Sequence, residues 1–242
     1  MILPAYNAAA TLKRTVSEIP WNVVDELLLV DDGSSDETAR ISQDLGIRTI
    51  QHAQNLGYGA NQKTCYRSAL ALPADVFVML HPDYQYSPRL IPAIAAMVVS
   101  GEFDLVLGSR ILGGTALKGG MPLYKYLANR FLTWFENLLT GAKLSEYHTG
   151  FRAFSRTLLE ELPLANNSDD FVFDNQILVQ ALHFGFRLGE ISCPTRYNSD
   201  ASTLNLRRSI LYGIGVMACG LQYRLQRMGI WSFAVFNAEG KL

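Results

Sequence analysis

An α/β protein with a mainly parallel, Rossmann-like sheet flanked by helices is what this 242-residue sequence predicts. Three observations predict it. Short unbroken apolar runs alternate with helical patterns, the signature of βαβ units. Several of those runs stop at polar, turn-forming clusters, as strands do at the carboxyl edge of an open sheet. Hydrophobic residues make up 49% of the chain and charged ones only 18%, enough apolar material for strands buried on both faces and too little charge for disorder.

The elements follow in order. Met1-Ile2-Leu3 is apolar but short for a strand before Pro4, so a longer first strand is expected upstream. Ala8 to Ile19 has helical spacing. Glu26 to Val30 is a buried strand ending at Asp31-Asp32-Gly33, and Ser34 or Ser35 is the natural N-cap of a helix from Ser35 to Leu45, with Asp36 and Glu37 in its first turn. Ile47 to Gln51 is a strand, Asn61 to Leu72 a helix, and Asp75 to Leu80 a strand ending at His81-Pro82-Asp83. Pro88 to Ser100 is helical, Asp104 to Gly108 a strand, Phe173 to Phe184 a helix, and Gly189 to Cys193 a strand closed by Pro194. Tyr124 to Thr140 sets Leu127, Phe131, Trp134, Phe135 and Leu138 on one wide apolar stripe, which fits either a core helix or a helix on a membrane surface. Ser209 to Met228 is a last helix, apolar first and then basic. These two are the expected amphipathic helices of the second half.

Composition excludes several classes. Net charge is −1, which argues against a general nucleic-acid binder. The apolar stretch from Ser209 to Tyr223 falls short of the roughly 20 residues of a membrane span, and no signal peptide is visible at the start. Cys65, Cys193 and Cys219 have neither zinc spacing nor an even count, which points to a reducing, cytoplasmic compartment.

Ligands of open parallel sheets bind beyond the strands' carboxyl ends. Three polar clusters occupy such ends: Pro4-Ala5-Tyr6-Asn7, Asp31-Asp32-Gly33-Ser34 and His81-Pro82-Asp83-Tyr84-Gln85. Two adjacent carboxylates at Asp31-Asp32 repel, so a ligand donor, a cation or solvent must offset them. His81, Asp83 and Gln85 alternate past a strand end, a pattern that could bring them to one side with ligand atoms suited to Mn²⁺ or Mg²⁺; an ordinary turn with Pro82 stays open beside it. Asn55-Leu56-Gly57-Tyr58-Gly59 lacks the third glycine of a dinucleotide fingerprint and comes too late in the chain, so NAD is rejected, while a backbone approach to a phosphate and a plain glycine turn stay open. Arg152, Arg156, Arg196, Arg207 and Arg208 suit phosphate contact, although a lone arginine is more often solvated surface. Asp174 is flanked by aromatics, where a carboxylate is costly unless used or paired.

Together these segments resemble the family 2 glycosyltransferases of the GT-A fold, with the closest likeness to the dolichyl- and polyprenyl-phosphate sugar synthase branch. The resemblance rests on PAYNAAATL at Pro4, LLLVDDGSSDET at Leu27, NLGYGANQKTC at Asn55, DLVLGSR at Asp104, HTGFRAFSR at His148 and the segment from Phe171 to Tyr197. It implies one domain over 1–242: a nucleotide-sugar half (1–110), an acceptor half (111–205) and a helical tail (206–242). Nucleotide-sugar binding would fall to Pro4, Ala5, Tyr6, Asn7, Asp31, Asp32, Gly33, Gly57, Pro82 and Asp83. Asp83, with His81 and Gln85, would hold the metal. Arg152, Arg156, Arg196 and Ser202 would face donor or acceptor phosphates. Asp174, Asp83 and Arg152 would be catalytic, Asp174 as base. Ala8 stands where the family has Glu, His81 replaces the first Asp of its metal motif, and Ala201-Ser202-Thr203-Leu204 lacks its lysine.

The implied activity is inverting transfer of a hexose from a UDP- or GDP-sugar to a polyprenyl or dolichyl phosphate, with Mn²⁺ or Mg²⁺ as cofactor, in the cytoplasm or at the cytoplasmic face of a membrane. Two readings stand beside it: transfer to a sugar hydroxyl of a glycan or glycolipid, and a degenerate protein that only binds a nucleotide sugar. A nucleotidyltransferase would need a glycine- and lysine-rich loop where PAYNAAA stands.

Overall fold

The computed structural model describes residues 1–197 and 206–242. Seven strands form one sheet in the order β3-β2-β1-β4-β6-β5-β7: β1 (Ile2–Ala5), β2 (Leu28–Asp31), β3 (Arg48–Gln51), β4 (Val76–Met79), β5 (Leu105–Ser109), β6 (Arg152–Ser155) and β7 (Leu188–Ser192). Neighbours are parallel except β6, which runs antiparallel to both β4 and β5. The mainly parallel α/β expectation holds. β6 is the strand that sequence reading missed: Arg152-Ala153-Phe154-Ser155 offers no unbroken apolar run, and pairing on both edges defines it.

β1 extends past the expected Met1–Leu3 and carries Pro4 through the middle of the sheet. A proline cannot donate to a ladder. Ile2 O faces β4, accepting the Leu80 N–H at 3.1 Å, and Pro4 shares that parity. β1 pairs with β4 only at Ile2↔Met79, so the missing N–H falls where the two strands have already parted. That parting opens the crevice described below.

Among the described residues eight α-helices flank the sheet: α1 (Ala9–Ser17), α2 (Thr38–Asp44), α3 (Tyr58–Leu70), α4 (Ile91–Val99), α5 (Leu123–Thr140), α6 (Arg156–Glu161), α7 (Phe173–His183) and α8 (Leu206–Arg227). Alternate strand residues feed two cores, as a period of two requires. Ile2, Leu28, Val30, Phe77 and Met79 pack with α3, α6 and α7. Leu3, Leu29, Val78 and Leu80 pack with α1 and α4.

Helix starts differ from expectation at several places: α4 begins at Ile91 after a 3-10 turn at Pro88–Leu90, and α8 begins at Leu206, three residues early. α2 begins at Thr38, and neither Ser34 nor Ser35 caps it; both serines hold the Asn7 turn instead. α3 begins at Tyr58, three residues early, because Gly57 takes φ 105° as its N-cap. For α5 the structure decides between the two expectations. Its buried residues are Asn129, Thr133 and Glu136, whereas Leu127, Phe131, Trp134 and Leu138 are more than half exposed. The stripe is real, but it faces outward. Among the described residues no helix is long and apolar enough to cross a membrane.

Candidate active site

The carboxyl ends of β1, β2 and β4 open onto one cavity of about 890 Å³, closed on its far side by α5 and α8. Of the residues expected to bind a nucleotide sugar, Pro4, Ala5, Tyr6, Asp32, Gly57, Pro82 and Asp83 line it. Asn7, Asp31 and Gly33 do not; they shape the loops behind the wall. Asn7 stands at φ 52°, donates its N–H to Ser34 Oγ at 2.8 Å and accepts the Ser35 N–H on Oδ1 at 2.9 Å. Asp31 is fully buried and accepts both the Ser34 N–H and its hydroxyl. At Gly33, φ is 68° and a Cβ would lie 2.7 Å from the Gln54 carbonyl carbon, so the turn admits only glycine.

The protein itself supplies donors that offset the Asp31-Asp32 repulsion. Asp32 accepts the His52 Nδ1–H at 2.8 Å, the Leu56 N–H at 2.9 Å and the Gly57 N–H at 3.0 Å. It thereby pins the 55–57 loop to β2. The glycine segment offers no open phosphate cradle either. The Gly59 N–H, at the start of α3, is given to Asp169 O at 2.8 Å, and a Cβ on Gly59 would lie 2.3 Å from Ser168 O. Glycine there lets α3 touch the 168–170 loop.

The loop after β4 is held from below. Thr11 Oγ1 donates to Pro82 O at 2.6 Å, and Tyr86 Oη accepts the Gly150 N–H at 2.9 Å. Asp83 faces the cavity, its Oδ1 accepts the Gln85 N–H at 3.0 Å, and burial raises its pKa above the ordinary carboxylate range. Gln85 is buried and also lines the cavity. His81 Nε2 lies 2.8 Å from Tyr58 Oη. The Tyr58 hydroxyl donates its one hydrogen to Asp174 Oδ2 at 2.5 Å, so His81 donates to it from Nε2, and in the neutral tautomer with that hydrogen the free lone pair is on Nδ1. Among the described residues no three His, Cys, Asp or Glu side chains gather as a complete metal site. Asp83 with Gln85 and His81 Nδ1 is a partial donor set, suited to an ion that arrives with phosphates as its other ligands.

Asp174 lines the cavity from α7. Its Oδ2 accepts from Tyr58 and its Oδ1 accepts Gln62 Nε2–H at 2.9 Å, with Arg152 Nη1 3.8 Å away. Burial and the Asp174 charge lift the Tyr58 hydroxyl well above its ordinary pKa. Arg152 is fully buried and does not line the cavity. Its guanidinium donates to the carbonyls of Thr149, Asp174 and Tyr147. It therefore meets no phosphate directly; it fixes the start of α7 and the charge environment of Asp174.

Two other expected phosphate contacts lie elsewhere. Arg156 donates to the carbonyls of Leu70, Leu72 and Ala74 at the far end of α3, where a cation meets the negative end of the helix dipole. Arg196 lies over the Tyr84 ring, 5.0 Å from its centroid, and 3.9 Å from Glu18. Ser202, with Ala201, Thr203 and Leu204, lies outside the described residues.

The cavity's cations are instead Arg110, Lys125 and Arg208, joined by His148 and Tyr212. Arg110 ends the DLVLGSR segment, the signal that a sequence reading had available. It pairs with Glu146 through Nε at 2.8 Å and through Nη2, and reaches Tyr197 Oη at 2.9 Å. Burial pushes the Glu146 carboxyl up and the Arg110 charge more than offsets it, leaving a titration below the ordinary range. Burial and the nearby Arg110 lower the Lys125 ammonium. His148 Nδ1 lies 2.8 Å from Tyr212 Oη, and burial brings its pKa down to about 4. The cavity lining thus carries both carboxylates (Asp32, Asp83, Asp169, Asp170, Asp174) and cations, and the Arg110 charge reaches Asp83.

A family model described as "Glycosyl transferase family 2" matches residues 1–163. The UDP-N-acetylglucosamine–dolichyl-phosphate N-acetylglucosaminyltransferase of Methanococcus voltae is 28% identical over 214 residues, 81% of this chain and 85% of its own length. The polyprenol monophosphomannose synthase of Mycolicibacterium smegmatis is 24% identical over 197 residues, 79% and 74% of the two chains. Among solved structures, glucosyl-3-phosphoglycerate synthase from Mycobacterium tuberculosis with UDP superposes with a TM-score of 0.72 at 23% identity, over 96% of this chain and 80% of that one. Other crystal structures of that synthase hold Mn²⁺ with UDP-glucose, or Mg²⁺ with UDP. That likeness speaks for the fold.

Proposed function

The chain belongs to glycosyl transferase family 2 and is a glycosyltransferase; on that premise we propose that it moves a hexose from a nucleoside-diphosphate sugar to a polyprenyl-type phosphate. The observation that carries the reading is one cavity lined both by carboxylates at the strand ends and by the cations Arg110, Lys125 and Arg208. A diphosphate leaving group beside Asp32 and Asp83 needs a cation. Asp83, Gln85 and His81 Nδ1 would hold Mn²⁺ or Mg²⁺, and the bound ion would neutralise charge on the leaving diphosphate. Tyr6, about half exposed at the mouth, suits stacking on a base.

These cations suit an acceptor phosphate. A phosphate oxygen attacks the anomeric carbon from the face away from the leaving group, the bond to the diphosphate breaks, and the configuration inverts. A phosphate is already anionic near neutral pH and needs no general base. Asp174 fits that acceptor better than a sugar hydroxyl, because both of its carboxylate oxygens already accept hydrogen bonds from the protein. Its role on this reading is to hold Tyr58 and, through it, His81. The relatives named for dolichyl and polyprenyl phosphate support the same acceptor class. The three cysteines are free and buried, in keeping with work in the reducing cytoplasm.

The test is a donor screen. UDP- and GDP-sugars with Mn²⁺ are expected to raise the melting temperature, and Asp83→Ala to abolish the rise. Mass spectrometry is expected to find the sugar on polyprenyl phosphate. No shift with any nucleotide sugar, or transfer to glycan hydroxyls alone, overturns the reading.

A further inference from the structure

We propose that the outer faces of α5 and α8 form a docking surface for an anionic lipid bilayer, set beside the cavity that both helices line. On α5 the outward residues are Tyr124, Leu127, Phe131, Trp134 and Leu138, from 53% to 64% exposed. On α8 they are Ile210, Leu211, Ile214 and Leu221, from 48% to 59% exposed. The helices run side by side in the same direction: Leu132 lies against Gly213 and Leu139 against Gly220. With α8's inward side packed on α7 through Gly215 and Val172, its apolar outer face continues that of α5.

Packing explains why α5 is turned this way. Its polar stripe is consumed inside, where Asn129 Nδ2 donates to Glu146 Oε1 at 2.8 Å and Glu136 is fully buried. That leaves the apolar stripe for the surface, where soluble monomers rarely place one so large. Neither helix is a span, so the occupant lies against them.

Charge selects that occupant. α8 has no acidic residue, and the single acid of α5, Glu136, is buried. Lys118 and Lys143 flank α5 and are exposed, as are Arg207, Arg224 and Arg227 on α8. In a chain of net charge −1 this is a segregated basic rim around an apolar face, complementary to anionic headgroups over acyl chains. Trp134 and Tyr124 suit the interfacial zone. The same two helices line the cavity with Lys125 and Arg208, so a docked bilayer would stand next to the proposed phosphate site. This last link rests on the proposed acceptor; the docking itself does not.

Co-sedimentation with vesicles tests it without turnover. The protein is expected to bind phosphatidylcholine vesicles containing about one third phosphatidylglycerol, and to bind phosphatidylcholine alone at least about tenfold less. High salt weakens the attraction by screening. A Leu127→Gln, Phe131→Gln, Ile214→Gln variant, altered only at exposed positions outside the cavity, is expected to lose about tenfold or more in vesicle affinity. It keeps its melting temperature, its donor shift and its rate on a water-soluble short-chain prenyl phosphate. No binding to either vesicle, or unchanged binding by the variant, overturns the proposal. So does a lipid-free dimer in sedimentation velocity that the variant dissociates, which gives the face to a second copy. Vesicle binding without any transfer would leave the docking intact and refute the acceptor reading instead.

Discussion

Replacing Glu146 with Gln should separate the cationic wall of the cavity from its support. Glu146 accepts the Arg110 backbone N–H at 2.8 Å, two guanidinium N–H groups and the Asn129 amide. Both charges are buried. Removing one partner of a buried pair strands the other, at a cost of about 3–5 kcal/mol. For a chain of this size that is a fall in Tm of about 6–20 °C. The carboxyl titrates below the ordinary range in the folded chain, so its contribution is present at neutral pH and fades as pH falls through the folded pKa. Glu146→Gln should therefore cost most near pH 7 and least in acid. The assay is urea denaturation followed by circular dichroism at several pH values, with Arg110→Met and the Glu146→Gln, Arg110→Met double variant completing a cycle. The double variant should lose less than Glu146→Gln alone, because no charge is left stranded. A loss below about 1 kcal/mol for Glu146→Gln, or additive losses around the cycle, would refute the reasoning.

Two further outcomes follow from named contacts. Glu136 is buried with both carboxylate oxygens unpaired, its Oε2 3.7 Å from His148 Nε2, and burial lifts its pKa well above the ordinary value. A raised acid binds its proton more tightly when folded, so stability falls as pH rises through that window, by up to about 1.4 kcal/mol per pH unit. His148, lowered to about 4 from 6.5, contributes the opposite slope between those values. The Met1 amine, lowered to about 6 from 8.0, adds to that opposite slope. Glu136→Gln should remove the falling component in pH-dependent unfolding; an unchanged profile counts against a raised Glu136. Gly59→Ala drives a Cβ to 2.3 Å from Ser168 O. It should push α3 from the 168–170 loop, cost about 1–3 kcal/mol and weaken donor binding in calorimetry, whereas Gly46→Ala, where a Cβ meets nothing within 4 Å though φ is 70°, should cost less and leave donor affinity unchanged.

Much of the fold was legible because strand and helix periods are local properties. Buried parallel strands read as unbroken apolar runs, and the clusters at their carboxyl ends mark one edge of a sheet whatever the register. That placed Pro4, Tyr6, Asp32 and Asp83 on one edge before any coordinates, and the family resemblance added Asp174; all five line the cavity. Residue type did not say which way each side chain spends its hydrogen bonds. Arg152, Arg156 and Arg196 look alike in sequence, yet one holds buried carbonyls, one ends α3 and one lies on Tyr84.

The chain's own pattern determined an α/β sheet, a ligand edge at its strand ends and a wide apolar stripe on α5. Only tertiary structure decided that β6 enters antiparallel, that Asp31 and Asp32 are satisfied by Ser34, His52 and backbone N–H groups, and that the α5 stripe faces out. The physical reason is common to all three. Periodicity states that a helix or strand has two unlike faces, but which face is buried depends on partners distant in sequence. Around α5 those partners include Arg110 and Glu146, whose buried pair draws Asn129 inward and leaves Phe131 and Trp134 outside.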